Sequence, residues 1–148
     1  MAASAFKYTN WLKASQSGVN LASSPTIKAT LHTSSFTPNA ATQAVYADLT
    51  NELGTANGYS SGGASLTGIG FALSGSSAIL TASPTVWNVV TADLVARFLV
   101  LRYVGTVNGQ VDPLILYVLM DNTPANVTAT PGNSLTVNWN AAGITVDT

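Results

Sequence analysis

Two runs leave little freedom in what this chain can fold into: Ala96–Val104 (ARFLVLRYV) and Leu114–Met120 (LILYVLM). Both are dense in β-branched, aliphatic and aromatic residues, and Asn108-Gly109 lies in the connection between them. That is the signal of an antiparallel hairpin, with a longer connection than a two-residue turn. Strands that are apolar at nearly every position are strands covered on both faces. The hairpin is therefore expected at the centre of the fold. Phe98, Val100, Leu114, Leu116, Val118 and Trp139 are the expected core.

Weaker signals surround it. Thr26–His32 (TIKATLH) alternates Ile27, Ala29 and Leu31 with Lys28 and Thr30, which predicts a half-buried strand. Residues 64–75, Ser76–Thr81 and Thr85–Val90 read as further strands, the last two separated by Pro84. Val127–Thr130, a Pro131-Gly132-Asn133 turn and Leu135–Trp139 close the chain. Near the front, Phe6, Trp11 and Leu12 stand at a spacing that suits either a short amphipathic helix or a strand. Val45, Leu49 and Leu53, four apart, predict a short helix over Ala44–Leu53. Ser34–Asn39 and 57–63 are loops. The expected architecture is one mainly β domain over 1–148: an antiparallel sandwich, jelly roll or barrel with one or two short helices in the N-terminal half. Residues 1–24, weakly patterned and Ser-rich, suit an arm that orders on a partner.

Chemistry is scarce. Charged residues make up 7% of the chain, against roughly 25% in ordinary soluble domains. Interface cores are depleted in Lys, Glu and Asp, so a surface largely covered by neighbouring chains drifts this way. The basic residues Lys7, Lys13, Lys28, Arg97 and Arg102 are scattered, which does not suit a phosphate-binding track, and nucleic acid is not an expected partner. There is no cysteine, and His32 is the only histidine. No Gly-x-Ser-x-Gly elbow and no metal-ligand spacing accompany it, so it is expected to be structural or simply exposed. Asp48 and Glu52 read as solvated carboxylates on one helical face, and Asp112 and Asp121 as the solvent-facing ends of the last central strand. Gly62-Gly63 is followed by no P-loop lysine. Asn126-Val127-Thr128 matches a glycosylation sequon by the accident expected in a Thr-rich chain. Trp11, Trp87 and Trp139 are expected in the core, with sugar stacking as the alternative. MAASAFKYTNWLK lacks the apolar run of a signal peptide. Leu114–Met120 is far short of the ~20 residues that cross a bilayer. The expectation is a soluble binding and assembly protein with no catalytic, cofactor or metal residues and no membrane contact.

The stretch from Thr26 to Gly63 is more specific. It contains Thr33-Ser34-Ser35-Phe36-Thr37-Pro38, then Asp48 and Glu52, then Gly58-Tyr59-Ser60-Ser61-Gly62-Gly63. Further on come Val86-Trp87, Ala96-Arg97, Pro113-Leu114-Ile115 and Val137-Asn138-Trp139 followed by Gly143. Together these resemble a group of small structural proteins of tailed bacteriophages, over most of the chain. It departs from the group at Ala64, where a lysine often follows the Gly-Gly pair, and at SSAILTASPTV, where acidic residues often precede the Trp strand. The resemblance implies a virion structural role with the major capsid protein or other virion proteins as partners, made in the host cytoplasm. A capsid decoration or cement protein acting as a dimer or trimer is the first expectation. A tail adaptor, baseplate or fibre-base protein and a carbohydrate-binding host-recognition module are the others. Thr-Pro forces an extended exit from the strand, and Gly62-Gly63 permits backbone angles closed to other residues. Thr33, Ser34, Ser35, Phe36, Pro38, Tyr59, Gly62 and Gly63 are thus the expected contact loop on a rigid scaffold.

Overall fold

The computed structural model describes residues 1–16, 26–140 and 142–148. In chain order, strand β1 (Ser4–Lys7) is followed by helix α1 (Thr9–Ser15) and β2 (Ile27–His32). Next come β3 (Ala64–Ser65), β4 (Gly70–Ser74), β5 (Ser77–Asn88), β6 (Leu94–Ala96) and β7 (Phe98–Tyr103). The short β8 (Thr106–Val107) and β9 (Gln110–Val111) precede β10 (Leu114–Leu119), β11 (Val127–Ala129), β12 (Ser134–Asn140) and β13 (Gly143–Asp147). The front of the chain thus holds both alternatives for residues 5–16, a strand and then a helix. Residues 1–16 dock on the chain itself, and the rest of the 1–24 segment from residue 17 lies outside the described residues.

The hairpin signal holds. β7 and β10 pair antiparallel, Val100 opposite Tyr117 and Leu99 opposite Val118, inside a five-stranded sheet ordered β1-β10-β7-β2-β3. The run Ala96–Val104 is nevertheless interrupted at Arg97: β6 turns away and pairs with β11. β8 and β9 close the connection around Asn108-Gly109, both at positive φ (50° and 77°), a type I′ turn. A second sheet is ordered β13-β12-β5-β4. All pairings are antiparallel, and no closed barrel forms among the described residues.

One core lies between the sheets. Ala29, Leu31, Leu99, Leu101 and Val118 of the first sheet meet Trp87, Leu135, Val137, Trp139 and Val146 of the second, joined by Leu94, Ala96, Val127 and Ala129. Alternation decides the second sheet: β12 buries Leu135, Val137 and Trp139 and turns Ser134, Thr136 and Asn138 outward. The first sheet is covered on its other face too. There Val100 and Leu114 pack with Tyr8 and Phe36, against half-buried Leu49, Phe98 and Tyr117. Of the expected core residues, Val100, Leu114, Val118 and Trp139 are buried, while Phe98 and Leu116 are half-buried. β2 is more enclosed than its alternation implies, because Thr30 and His32 lie under that second cover.

Three expectations need correction. Residues 64–75 are not one strand but two, β3 pairing with β2 in the first sheet and β4 with β5 in the second. Residues 77–88 form one strand through Pro84, not two. The register of β5 on β12 shifts between Val137 and Trp139, opposite Thr85 and Ala82, so Pro84 occupies a bulge where its missing N–H breaks no ladder. Ala44–Leu53 is not a helix. Only Tyr46–Asp48 makes a single 3-10 turn, Leu49 is extended (φ −78°, ψ 146°) and Asn51 is left-handed (φ 55°). Its backbone bonds go sideways to β2: Thr33 N–H donates to Asn51 O at 3.0 Å and Leu53 N–H to Leu31 O at 2.9 Å. Leu49 and Leu53 therefore pack on opposite faces of the sheet. Their four-residue spacing counts a strap crossing the sheet edge, not a helical stripe. Strand β13 was not foreseen.

Candidate functional site

The motif residues between Thr26 and Gly63 gather on and beside the first sheet. Asn57-Gly58 makes a tight type I′ turn (φ 55° and 90°), with Ala56 and Tyr59 exchanging bonds of 3.0 and 2.9 Å. This turn aims Tyr59 inward. Its side chain is buried, and its hydroxyl accepts from Leu31 N–H at 3.1 Å and donates to Glu52 Oε1 at 2.6 Å. Glu52 also accepts from Gly62 N–H at 2.6 Å and from the Tyr46 hydroxyl. It is no solvated carboxylate but the knot of the loop. Burial pushes its pKa up, yet the donors Tyr46, Tyr59 and Gly62 outweigh that and hold it below the usual carboxylate range. The Tyr46 hydroxyl is pushed up to about 12 by burial, then by Glu52. Asp48 accepts from Ala44 and Val45 N–H at 2.8 and 3.1 Å and caps the 3-10 turn.

A buried arginine secures the other side. Arg102 of β7 pairs with Asp112 at 2.5 Å, donates to Gly62 O at 3.0 Å and lies 3.9 Å over the Tyr46 ring. Asp112 also accepts from Gly105 N–H at 2.8 Å, so it is a partner of Arg102 and not a solvent-facing strand end. Neither Tyr46 nor the Arg102–Asp112 pair was expected from the sequence. The available signal was Arg102 itself, a guanidinium inside an otherwise apolar run, since such a residue is rarely buried unpaired.

His32 is fully buried. Its Nδ1 lies 2.9 Å from Thr50 O, which can only accept, so Nδ1 carries a proton; Nε2 faces Thr30 Oγ1 at 3.0 Å. Burial lowers its pKa, against the Thr50 carbonyl and the Glu52 charge. His32 is a structural histidine.

The eight expected contact residues divide accordingly. Ser34 and Ser35 are exposed; Thr33, Pro38, Gly62 and Gly63 are half-buried; Phe36 and Tyr59 are 2% exposed. Phe36 stacks near His32 (4.6 Å) and meets Phe98 edge-on (5.7 Å), so it is a cover of the sheet and not an outward contact. Gly63 explains its own presence. At φ 81° a Cβ there would lie 2.2 Å from Ala29 O. The motif is thus a lock that fastens the 33–63 loop to β2. Trp11, Trp87 and Trp139 are all buried. Among the described residues, no group of three acidic, His or Cys side chains is placed to hold a metal, and no helix is long and apolar enough to cross a membrane.

The second sheet offers a different surface. Its outer face carries Val86, Asn88, Ser134, Thr136, Asn138 and Thr145, with Asp147 as the single charge of its strands. Asn138 donates to Thr145 Oγ1 at 3.3 Å and Asp147 Oδ2 at 2.9 Å. A polar groove of ≈ 570 Å³ runs beside Asn88, Ser134, Thr136 and Asp147. Compared with protein-family models, with curated proteins and with solved structures, the chain has no match.

Proposed function

We propose that this chain is a structural protein of a tailed-phage virion, a capsid decoration protein that binds the outer shell and stabilises it without catalysis. The observation that carries the reading is the neutral face of the second sheet. From Leu53 to Ala92 and from Asn122 to Val146 the sequence contains no charged residue, and these segments supply nearly all of that sheet. Covering hydroxyls, amides and the exposed Val86 removes few charges from water, and the polar groups can bond again across an interface. A rigid scaffold with a locked loop loses little conformational entropy when it docks. The resemblance to phage structural proteins, with the major capsid protein as partner, points the same way. With its tryptophans buried, the chain supplies no indole platform for a sugar, which disfavours the carbohydrate reading.

The test is quantitative mass spectrometry of purified virions, before and after tails are stripped from heads. Copies approaching the number of capsid subunits, retained with the heads, are expected. A few copies leaving with the tails would replace this reading with a tail adaptor, and none in either fraction would end the virion reading.

A further inference from the structure

Sheet edges present unpaired N–H and C=O groups that template another strand, and proteins blunt them with charge, proline, bulges, shortness or cover. The two large sheets have four edges, β1, β3, β13 and β4. Three are protected. β3 is two residues long and β1 carries Lys7. β13 carries Asp147 and is met by the chain's first residues, Ala3 N–H donating to Ile144 O at 3.2 Å and Val146 N–H to Met1 O at 2.9 Å. β4 has none of these devices. It is uncharged, free of proline, in unbroken register with β5, and no described strand pairs with its outer side. Phe71 and Leu73 are 48% and 84% exposed on it.

The hairpin geometry shows which backbone groups are free. Gly75 (φ 58°) and Ser76 join the strands, with Ser74 opposite Ser77. In a two-residue hairpin the closing pair exchanges both hydrogen bonds, and the pattern then alternates. Gly70, Ala72 and Ser74 therefore direct their N–H and C=O to β5, whereas those of Phe71 and Leu73 point out of the edge.

We propose that two copies of this chain associate through β4, antiparallel about a twofold axis at residue 72, so that the second sheet runs on into that of its neighbour. In this register Phe71 of one copy faces Leu73 of the other, and the reverse. Each facing pair exchanges its free backbone bonds and makes an aromatic–aliphatic cross-strand contact. The strand is complementary to itself, as a twofold interface requires. No charge stands between Gly70 and Asn88, so a like copy meets no repulsion and an oppositely charged strand finds nothing to pair with. This inference does not rest on the virion reading.

The purified full chain is tested by size-exclusion chromatography with light scattering. A mass twice 15.2 kDa is expected. Leu73→Lys, at a side chain already in water, is expected to return the mass to 15.2 kDa while the circular dichroism spectrum and cooperative unfolding are retained and the melting temperature stops depending on protein concentration. Val90→Lys, at an exposed apolar side chain (66%) away from β4, is expected to leave the dimer intact. The chain has no cysteine, so Ala72→Cys places two thiols across the axis at a non-hydrogen-bonded position. Cα atoms there lie about 4.5 Å apart, within disulfide reach. Oxidation is expected to cross-link Ala72→Cys and not Ser76→Cys at the hairpin tip. A 15.2 kDa particle at every concentration, a dimer that survives Leu73→Lys, or cross-linking through position 76 instead of 72 would each overturn the proposal. A dimer in solution with no copies in virions would leave it standing and remove the virion reading alone.

Discussion

The two sheets share one core and differ in how they meet water. The first, β1-β10-β7-β2-β3, carries Lys7, Lys28, His32 and the buried Arg102, and is overlaid by a loop that Glu52 and Asp112 tie down. The second, β13-β12-β5-β4, carries Asp147 alone and has its outer face open. The charges tied into the fold of the first sheet, Glu52, Arg102 and Asp112, thus sit where a segment has to be held in one place. A buried ion pair and charge-assisted bonds add little net stability over apolar packing, but they penalise every alternative arrangement that leaves them unpaired. The second sheet holds only the chain's first residues, along β13, and the near-neutrality of its outer face makes it inexpensive to cover.

The largest expected effect breaks the loop away from the first sheet. Gly63→Ala brings a Cβ to 2.2 Å from Ala29 O at φ 81°, so the backbone must move. A loss of about 3 kcal/mol or more is expected in denaturant unfolding. Gly62→Ala is the control. At φ 94° it is strained too, but its Cβ would meet only Arg102 Nη2, at 3.9 Å. About 1–2 kcal/mol is expected there. Equal losses would mean that the close approach to β2 is not what the motif is built around.

Next is the acid limb of stability. Glu52→Gln keeps the shape of the knot but removes the charge its three donors serve, at a cost of about 1–2 kcal/mol at neutral pH. Glu52 titrates lower in the folded chain than in the unfolded one, where the value is about 4.3. Its contribution is complete above that value and is lost as pH falls through the folded one. His32 adds to the same trend. Its folded pKa is lowered, so the unfolded chain takes up the proton first and stability declines as pH drops below about 6.5. Urea midpoints from pH 8 to pH 3 are expected to decline in two stages. Glu52→Gln flattens the lower stage, and His32→Gln flattens the upper one. A single stage unaffected by either variant would mean that the charges of the first sheet do not hold its loop.

How much of this was legible depends on the range of the interaction. The β7–β10 hairpin was readable because residues covered on both faces cannot alternate, and β12 because residues covered on one face must. Asn57-Gly58 and Asn108-Gly109 were readable because positive φ demands such residues, and Pro131-Gly132 because proline pre-sets a negative φ and glycine supplies the positive one, all without reference to distant parts of the chain. The 44–53 strap is not legible locally, because its spacing is helical while its hydrogen-bond partners belong to β2, a long-range choice that overrides local preference. The same holds for the site. Tyr59, Gly62 and Gly63 stood out, but as an outward contact loop, since nothing local says that Glu52 and Arg102 pull them inward. β13 has no local signal of its own, because Gly143–Asp147 is a strand chiefly through its pairing with β12.

The smallest effect on the fold separates the two surfaces most sharply. Val86 is 47% exposed on the outer face of the second sheet, and Ser35 is exposed on the loop over the first. A lysine at either position faces water in the free protein, so thermal unfolding is expected to shift by no more than about 0.5 kcal/mol. Bound to a shell, the two variants part company. If the neutral sheet is the covered face, Val86→Lys buries an ammonium whose one charged neighbour on that face, Asp147, lies two strands away and is already bonded to Asn138. Occupancy on heads then falls at least about tenfold, which needs only about 1.4 kcal/mol. Ser35→Lys would leave occupancy unchanged. The opposite result would assign shell contact to the loop. The lock of Glu52 and Arg102 would then exist to present Ser34 and Ser35 in one fixed geometry, and the open sheet would be left to the β4 edge alone.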